Sequence, residues 1–303
     1  MGTWFRECAV SLGGILQTFP DGCQIPLREW TNASVKFLLA TFGTIFDAVG
    51  DQITLVLRYV ELSLLWVPWW LIVAAIALVA WHASRHRLMT IGLVASLLVI
   101  GMMGLWDDTM RTLALMLVAI SITVVTGIPV GILMATNRWV RAVIGPILDA
   151  MQTLPPFVYL IPVVFFLGLG NVSAIFAICV YAVPPMVRLT NLGIRLVDRS
   201  TVEAADAFGA TRRQILWGIR MPLAMPNIMA GVNQSIMMAL AMAVIASMIG
   251  ARGLGANVLR GVNNGDVGFG LESGLAVLAL AVILDRVTRA YGARLDPTQT
   301  LKT

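Results

Sequence analysis

Seven long apolar runs constrain this 303-residue chain more than any other feature of its sequence. Each run approaches the ~20 residues that a helix needs to cross the hydrocarbon core of a bilayer. The runs fall at about 66–82, 88–106, 112–136, 147–169, 173–192, 226–249 and 271–290. Of all residues, 58% are hydrophobic and only 12% are charged, whereas about a quarter of a soluble domain is charged. The sequence therefore predicts an all-α integral membrane protein with about seven transmembrane helices.

The basic residues between these runs indicate an orientation. Two thirds of the 21 Lys and Arg residues fall in connections on one side of the predicted bundle, which includes the loop after 173–192 and the C-terminus. Cytoplasmic connections carry such an excess. We therefore expect a cytoplasmic C-terminus and an external N-terminus. Cys8 and Cys23 would then lie outside, either paired or as two free thiols, while Cys179 is predicted to be a packing residue.

The region before the first run carries a different pattern. Between Ser34 and Leu64, apolar residues recur every three or four positions, and charged residues occupy the opposite face. This spacing predicts an amphipathic helix over 34–64, with Gly43 and Gly50 as candidate breaks. Such a helix lies flat on the membrane surface or packs against the bundle as an ordinary surface helix.

A polar interval, Ser200–Pro222, separates the fifth and sixth runs on the predicted cytoplasmic side. Ser200 and Glu203 have the spacing of a capping box, which marks the start of a helix. Gly209 can adopt the left-handed conformation that ends one. The two-turn helix between them is too short to be stable alone in water. We therefore expect it to dock against another surface.

Prolines interrupt the fourth run. Pro155 and Pro156 remove helix hydrogen-bond donors and predict a kink or an unwound turn. A second pair, Pro184–Pro185, lies late in the fifth run. Two interpretations stay open: the prolines only kink a membrane helix, or they shape a gate or cavity lined by aromatic residues. Those aromatic residues are Phe157, Tyr159, Phe165 and Phe166.

The sequence lacks the residue patterns that several kinds of functional site require. Neither lysine follows a glycine, so the chain has no phosphate-binding P-loop, and His82 with His86 offers too few ligands for a metal. The charged residues of the runs lie near the run ends, where Asp285 is expected to reach the interface, while mid-span positions offer Asn233 instead. The glycine-rich stretch 250–270 is expected to be a flexible or re-entrant external loop. The sequence therefore predicts no catalytic site, no metal site and no nucleic-acid binding.

Four stretches resemble a known family. Glu203 begins the pattern E-A-A-x(3)-G-x(9)-I-x-L-P of permeases from ATP-binding cassette (ABC) importers, with Met221 in place of Leu. The runs QTLPPFVYLIPVVFFLGLGNV at 152–172, VPPMVRLTNLGI at 183–194 and MPLAMPNIMAGVNQ at 221–234 resemble the permeases of glycine betaine/proline betaine importers. The resemblance implies a type I ABC importer fold over 109–290. It also implies two accessory spans at 66–108, an external region at 1–65 that carries the amphipathic helix, and a cytoplasmic tail at 291–303.

The resemblance also implies partners and roles. It implies two permease copies in the bacterial cytoplasmic (inner) membrane, two copies of an ABC ATPase subunit that bind ATP and Mg²⁺, and an external substrate-binding protein. No cofactor is expected on this chain. The segment that couples to the ATPase would be Glu203, Ala204, Ala205, Asp206, Ala207, Phe208 and Gly209. The candidates for the transport path are Pro155, Pro156, Phe157, Tyr159 and Asn233. Phe157 and Tyr159 offer aromatic faces that attract a quaternary ammonium group.

The implied function is ATP-driven import of a quaternary ammonium compound such as glycine betaine, proline betaine or choline, in osmoprotection. The alternative is an ion-coupled secondary transporter of a similar solute, which the lack of a mid-span carboxylate disfavours. A fragment of an osmotically gated channel fits the composition but not the E-A-A pattern.

Overall fold

A computed structural model describes residues 26–294, apart from the side chain of Ser84. Within that range the chain is helical with short connections and contains no strand. It divides between Ala48 and Val49 into two compact units. Cys8, Cys23 and the tail beyond Arg294 lie outside the described residues, so the structure does not test the two alternatives for these cysteines.

The α-helices follow one another closely along the described chain. In chain order they are α1 Leu27–Trp66, α2 Trp69–Ser84, α3 Arg87–Met102, α4 Trp106–Thr136, α5 Arg138–Thr153, α6 Pro156–Leu167, α7 Asn171–Arg195, α8 Arg199–Ala207, α9 Arg212–Ile215, α10 Met221–Ala246, α11 Leu254–Asn264 and α12 Val267–Arg294. A π-helical turn, Leu216–Arg220, joins α9 to α10, and a short 3₁₀ turn, Ser247–Ile249, follows α10.

The number of membrane-crossing helices differs from the predicted seven. Five helical stretches in residues 26–294 are long and apolar enough to cross a membrane, and six if a bent pair is one span. The five are α1, α4, α7, the continuous stretch Arg212–Ile249 and α12. Helices α2 and α3 occupy the first two predicted runs, but at 16 residues each they are shorter than the ~20 residues a span needs. The all-helical class is confirmed and the count of seven is corrected.

The N-terminal helix is longer than predicted and has no break. Helix α1 covers 40 residues and continues through Gly43 and Gly50, because a glycine inside a helix costs only about 1 kcal/mol relative to alanine. In the second unit, Leu57 is buried, and Ile53, Val60 and Leu64 pack against the hydrophobic core. This part of α1 therefore packs on the bundle.

Helix α7 forms the centre of the second unit, where it packs against α4 and α10. Small residues allow the close approach: a Cβ atom on Gly131 of α4 would lie 2.6 Å from the Cβ atom of Thr190 on α7. Pro184 and Pro185 are buried within α7, which continues without a break. The Ser235 hydroxyl of α10 donates to the Ala182 carbonyl at 2.8 Å, just before this proline pair.

The predicted kink in the fourth run is confirmed as a complete break. Helix α5 ends at Thr153, α6 begins at Pro156, and the two axes are bent by 104°. Leu154 and Pro155 have extended backbone between them, with ψ of 135° and 140°. Helical backbone dihedral angles are disfavoured for a residue that precedes a proline, and Leu154 and Pro155 both precede one. Pro156 then fits the first turn of α6, where its missing N–H has no helical partner to lose.

The glycine-rich stretch 250–270 contains a helix, α11, that packs against α4 and α12, so the expectation of a flexible loop is wrong. We call Gly250–Asp266, which includes α11, the α11 segment. The Thr112 hydroxyl of α4 accepts from the backbone N–H of Leu254 at 2.9 Å, and the Asn257 amide donates to Asp108 at 2.6 Å. Gly261 lies against Gly270 of α12. Gly253, Gly255 and Gly261 serve close packing, which the sequence does not distinguish from flexibility.

Candidate coupling and transport sites

The first candidate site is the polar loop, which we define as Leu196–Arg220. Its helix α8 is capped by Asp198, which accepts hydrogen bonds from the Ser200 backbone N–H at 3.1 Å and the Ser200 hydroxyl at 2.8 Å. The hydroxyl bond, helped by the backbone bond, lowers the pKa of Asp198 below its ordinary value. The predicted capping box of Ser200 and Glu203 is therefore wrong.

The reason is a shift in where the helix begins. With Asp198 as the N-cap, the third helical position is Thr201, and Glu203 lies too far along α8 to reach back to the cap. Glu203 instead accepts from Arg199 Nε at 2.7 Å, one helical turn earlier. Both side chains of this pair are largely exposed, and such a pair stabilises a helix by only a few tenths of a kcal/mol.

The end of α8 follows the prediction. Gly209 has a φ of +80°, the left-handed conformation expected there. Its N–H donates to the Asp206 carbonyl at 2.9 Å, and the Ala210 N–H donates to the Ala205 carbonyl at 3.0 Å. This turn leaves the preceding residue, Phe208, 94% exposed. None of the nine residues of α8, all of which the structure describes, is buried.

A second capped helix follows in the same loop. Thr211 and Gln214 form a true capping box at the start of α9, and the T-x-x-Q signal for it was present in the sequence. The π-helical turn Leu216–Arg220 comes next. Pro222 explains it, because a proline ring clashes with the carbonyl four residues earlier, here Gly218, and widens the turn.

The path candidates around the α5–α6 break have unequal exposure. Phe157, at the start of α6, is 51% exposed, whereas Tyr159 is buried. The Tyr159 hydroxyl donates to the Met151 carbonyl of α5, and its ring centroid lies 6.4 Å from that of Tyr181 on α7. Tyr159 therefore connects the two halves of the bent pair, and Phe157 is the aromatic face that remains accessible.

Asn233, the remaining path candidate, has a different set of partners. Its side-chain N–H donates to Asp285 of α12 at 3.0 Å. Asp285 also accepts from Arg289 Nε at 2.8 Å, and its side chain is 14% exposed. The expectation that Asp285 reaches the interface is therefore wrong, since an amide on a neighbouring helix holds it inside. Asn233 and Arg289 line a cavity of about 490 Å³.

Cys179 and His82 each contact another group of the described chain. Cys179 is buried as predicted, with its Sγ 3.4 Å from the Ala119 carbonyl oxygen. The His82 ring lies 6.3 Å from that of Tyr291. Within residues 26–294, no three His, Cys, Asp or Glu residues are grouped so that they could hold a metal ion.

Comparison with known proteins gives a consistent result. Residues 127–298 match the family described as binding-protein-dependent transport system inner membrane component. The chain is 42% identical to the glycine betaine/proline betaine transport system permease protein ProW of Escherichia coli, over 88% of this chain and 75% of that one. It is 40% identical to the glycine betaine transport system permease protein OpuAB of Bacillus subtilis, over 88% and 94%. The glycine betaine/carnitine transport permease protein GbuB of Listeria monocytogenes is 42% identical, over 91% and 98%.

Solved structures support the fold. Two inward-facing structures of the MetNI methionine ABC transporter superpose with TM-scores of 0.52 and 0.55 at 24% identity. They cover 62% and 64% of this chain, and 92% and 95% of theirs. The core of the second unit therefore has the fold of an ABC importer permease, as the sequence predicted.

Proposed function

Because the chain belongs to the family of binding-protein-dependent transport system inner membrane components, we propose that it forms the transport path of an ATP-driven importer for quaternary ammonium compounds. The relatives named for glycine betaine, proline betaine and carnitine support this substrate class. Transport by this family is the work of several subunits, so the ATPase is a separate chain. ATP and Mg²⁺ bind that chain, and this one holds no cofactor.

The coupling role is supported by the local hydrogen bonding and the exposure of α8. Its cap, ion pair and C-terminal turn are all satisfied within the polar loop. Phe208 nevertheless remains 94% exposed. A well-ordered polar helix that presents one large aromatic group has the features of an interface anchor. We assign Glu203–Gly209 to the surface that docks on the ATPase, with Phe208 as its apolar contact.

The arrangement of the complete transporter follows from this role. Two copies of the chain pair in the bacterial inner membrane and bind two ATPase subunits. An external binding protein delivers the substrate. The polar loop and C-terminus face the cytoplasm, as the distribution of Arg and Lys supports, and the N-terminus lies outside. ATP-driven movement of the ATPases, transmitted through α8 and α9, changes the access of the path.

The experiment is uptake of labelled glycine betaine or choline into vesicles that contain the permease, the ATPase and the binding protein. Uptake should require internal ATP and should persist when ionophores remove ion gradients. Uptake driven by an ion gradient without ATP would contradict the proposal and support a secondary transporter. Deletion of 200–209 should abolish association with the ATPase while membrane insertion is retained. Co-purification of the deleted form with the ATPase would contradict the coupling role.

A further inference from the structure

The exposed face of α12 changes from apolar to basic near its C-terminal end. Every exposed residue from Val267 to Val282 is apolar or glycine, and the next two exposed residues are Arg286 and Arg289. The interval from Val267 to Arg286 is about 28 Å along a helix, close to the ~30 Å thickness of a hydrocarbon core. Arginines at the end of such a face extend their charged groups to the membrane interface. Arg286 and Arg289 therefore mark the level of one interface.

Helix α10 places a polar residue at the same level. Asn233 of α10 donates to Asp285 of α12 at 3.0 Å, so these two positions lie side by side. Gln234 follows Asn233 and is exposed, while the exposed residues after it in α10, Met237 and Ala241, are apolar. Because α10 begins at the polar loop and α12 ends at the C-terminus, this is the cytoplasmic end of both helices in the orientation proposed above.

A cavity of about 490 Å³ lies at this level between α7, α10 and α12, and its volume is in the range of small-molecule sites. Leu189, Pro226 and Met229 give it apolar walls, while Gln234 and Arg289 give it hydrogen-bond donors. None of the described residues that line it is Asp or Glu. The cavity therefore suits a ligand that combines hydrocarbon with a negatively charged group.

Arg289 is the one charged residue among the described residues that line the cavity. Its Nε donates at 2.8 Å to Asp285, which lies outside the lining. This bond orients the guanidinium group and engages neither of its terminal NH₂ groups. The Arg289 side chain is 65% exposed. The terminal groups of an arginine form a fork that fits two oxygens of a phosphate.

The charge around the cavity also favours an anion. After Val282, α12 carries three arginines, Arg286, Arg289 and Arg294, against one carboxylate, Asp285. Basic pockets between transmembrane helices on the cytoplasmic side bind the headgroups of anionic lipids. A lipid supplies phosphate and hydrocarbon in one molecule, whereas free phosphate would leave the apolar walls uncovered.

We propose that this cavity binds the headgroup of an anionic phospholipid from the cytoplasmic leaflet, of which phosphatidylglycerol is the simplest. The lipid phosphate accepts hydrogen bonds from the terminal NH₂ groups of Arg289, and the headgroup hydroxyls bond Gln234. The glycerol backbone and the first acyl carbons pack against Met229 and Pro226. The site does not depend on which solute the permease transports.

The test is lipid binding to the purified complex of permease and ATPase after delipidation in a neutral detergent. Native mass spectrometry would compare short-chain phosphatidylglycerol, phosphatidylcholine with the same acyl chains, and inorganic phosphate. Phosphatidylglycerol should bind at least tenfold more tightly than either, because phosphatidylcholine adds a cation beside the arginines and phosphate lacks hydrocarbon. Equal binding of the two lipids would show that the acyl chains alone are held. Equal binding of inorganic phosphate would assign the cavity to a free anion, and either result overturns the proposal.

Two arginines of α12 provide a matched pair of variants. Arg289→Gln should weaken phosphatidylglycerol binding at least tenfold, since hydrogen bonds between charged partners are the strong ones. Arg286→Gln removes the same charge from an exposed position that is not among the lining residues, and it should change the Kd less than twofold. Equal losses from the two variants would show attraction to interface charge in general and would overturn the proposal.

A further variant keeps the pair of Asp285 and Arg289 intact. Ala230 lines the cavity, so Ala230→Trp fills it without removing a charge. Phosphatidylglycerol binding should again fall at least tenfold, while a native melting temperature of the lipid-free complex shows that the fold is retained. A native Kd for phosphatidylglycerol in this variant would contradict the assignment of the lipid to the cavity.

Discussion

The polar loop and the α11 segment both contain short helices between spans, yet their hydrogen bonds differ. Those of the polar loop are local, and those of the α11 segment are long-range. In the polar loop, Asp198, Glu203 and Gln214 bond residues no more than four positions away. In the α11 segment, Arg252, Leu254 and Asn257 bond residues 81, 142 and 149 positions earlier. The polar loop is therefore held in shape by local hydrogen bonds, and the α11 segment by hydrogen bonds to distant parts of the bundle.

Burial follows the same division. No residue of α8 is buried, and Phe208 is 94% exposed, whereas Leu254 is fully buried and Asn257 is 3% exposed. A segment that satisfies its polar groups locally keeps its shape while its apolar side chain stays available to another protein. A segment that depends on distant partners is part of the core. The exposed polar loop has the features that the proposed coupling role requires, and the α11 segment has those of a core element.

The largest effect is expected at Phe208. Phe208→Ala should weaken association with the ATPase at least tenfold, because truncation of an interface aromatic anchor commonly costs 2 kcal/mol or more. The melting temperature of the isolated permease should not change, since the ring has little contact with its own chain. Binding would be measured by surface-immobilised ATPase and thermal unfolding by intrinsic fluorescence.

Val262→Ala gives the matched control on the other loop. Val262 lies in the α11 segment and is 71% exposed, so its truncation removes an exposed apolar group there. Association with the ATPase should be unchanged in this variant. Equal loss from both substitutions, or a lowered melting temperature for Phe208→Ala, would remove the distinction between the loops.

Local signals explain what the sequence predicts well. Long apolar runs, Pro155–Pro156 and Gly209 act within a few residues, so the helical class, the break after α5 and the left-handed end of α8 follow from short windows of sequence. The N-cap of α8 is predicted wrongly for the same reason. Asp198 and Ser200 are both good N-cap residues, and which of them caps the helix depends on where α7 ends.

Long-range contacts explain what the sequence does not predict. Gly255 and Gly261 lie in a stretch with the glycine-rich composition of a loop. Only their close neighbours on other segments show that they pack inside a helical region. Asp285 has the position of a charge near a span end, and only Asn233, 52 residues earlier, shows that it is held inside. Neither contact can be predicted from residue spacing within one segment.

A smaller effect is expected in the α11 segment. A Cβ atom on Gly261 would lie 2.4 Å from the Gly270 Cα and 2.6 Å from its nitrogen, both of them backbone atoms. Gly261→Ala should therefore lower the free energy of unfolding by about 1–3 kcal/mol, as overpacked cores do. Thermal unfolding in detergent would report the loss, while association with the ATPase should be retained.

Gly268→Ala is the control for this packing argument. The nearest heavy atom to a Cβ there is Asp266 Oδ1 at 3.5 Å, an ordinary contact. Its melting temperature should stay close to that of the native protein. Equal melting temperatures for the two variants would show that α11 and α12 are not closely packed at Gly261.

The smallest effect is expected from the titration of Asp198. The Ser200 hydroxyl bond lowers the pKa of this carboxyl in the folded protein, while the unfolded value is about 3.9. Its contribution to α8 is therefore fully present above pH ~4 and is lost as the pH falls through the lower, folded pKa. Hydrogen exchange of the α8 amides, corrected for intrinsic rates, should show more frequent opening in that acidic range. Asp198→Asn retains a capping side chain but cannot titrate, so its opening should depend less on pH there than that of the native protein. If the variant and the native protein show the same pH profile, Asp198 is not the group that holds the start of the polar loop's helix.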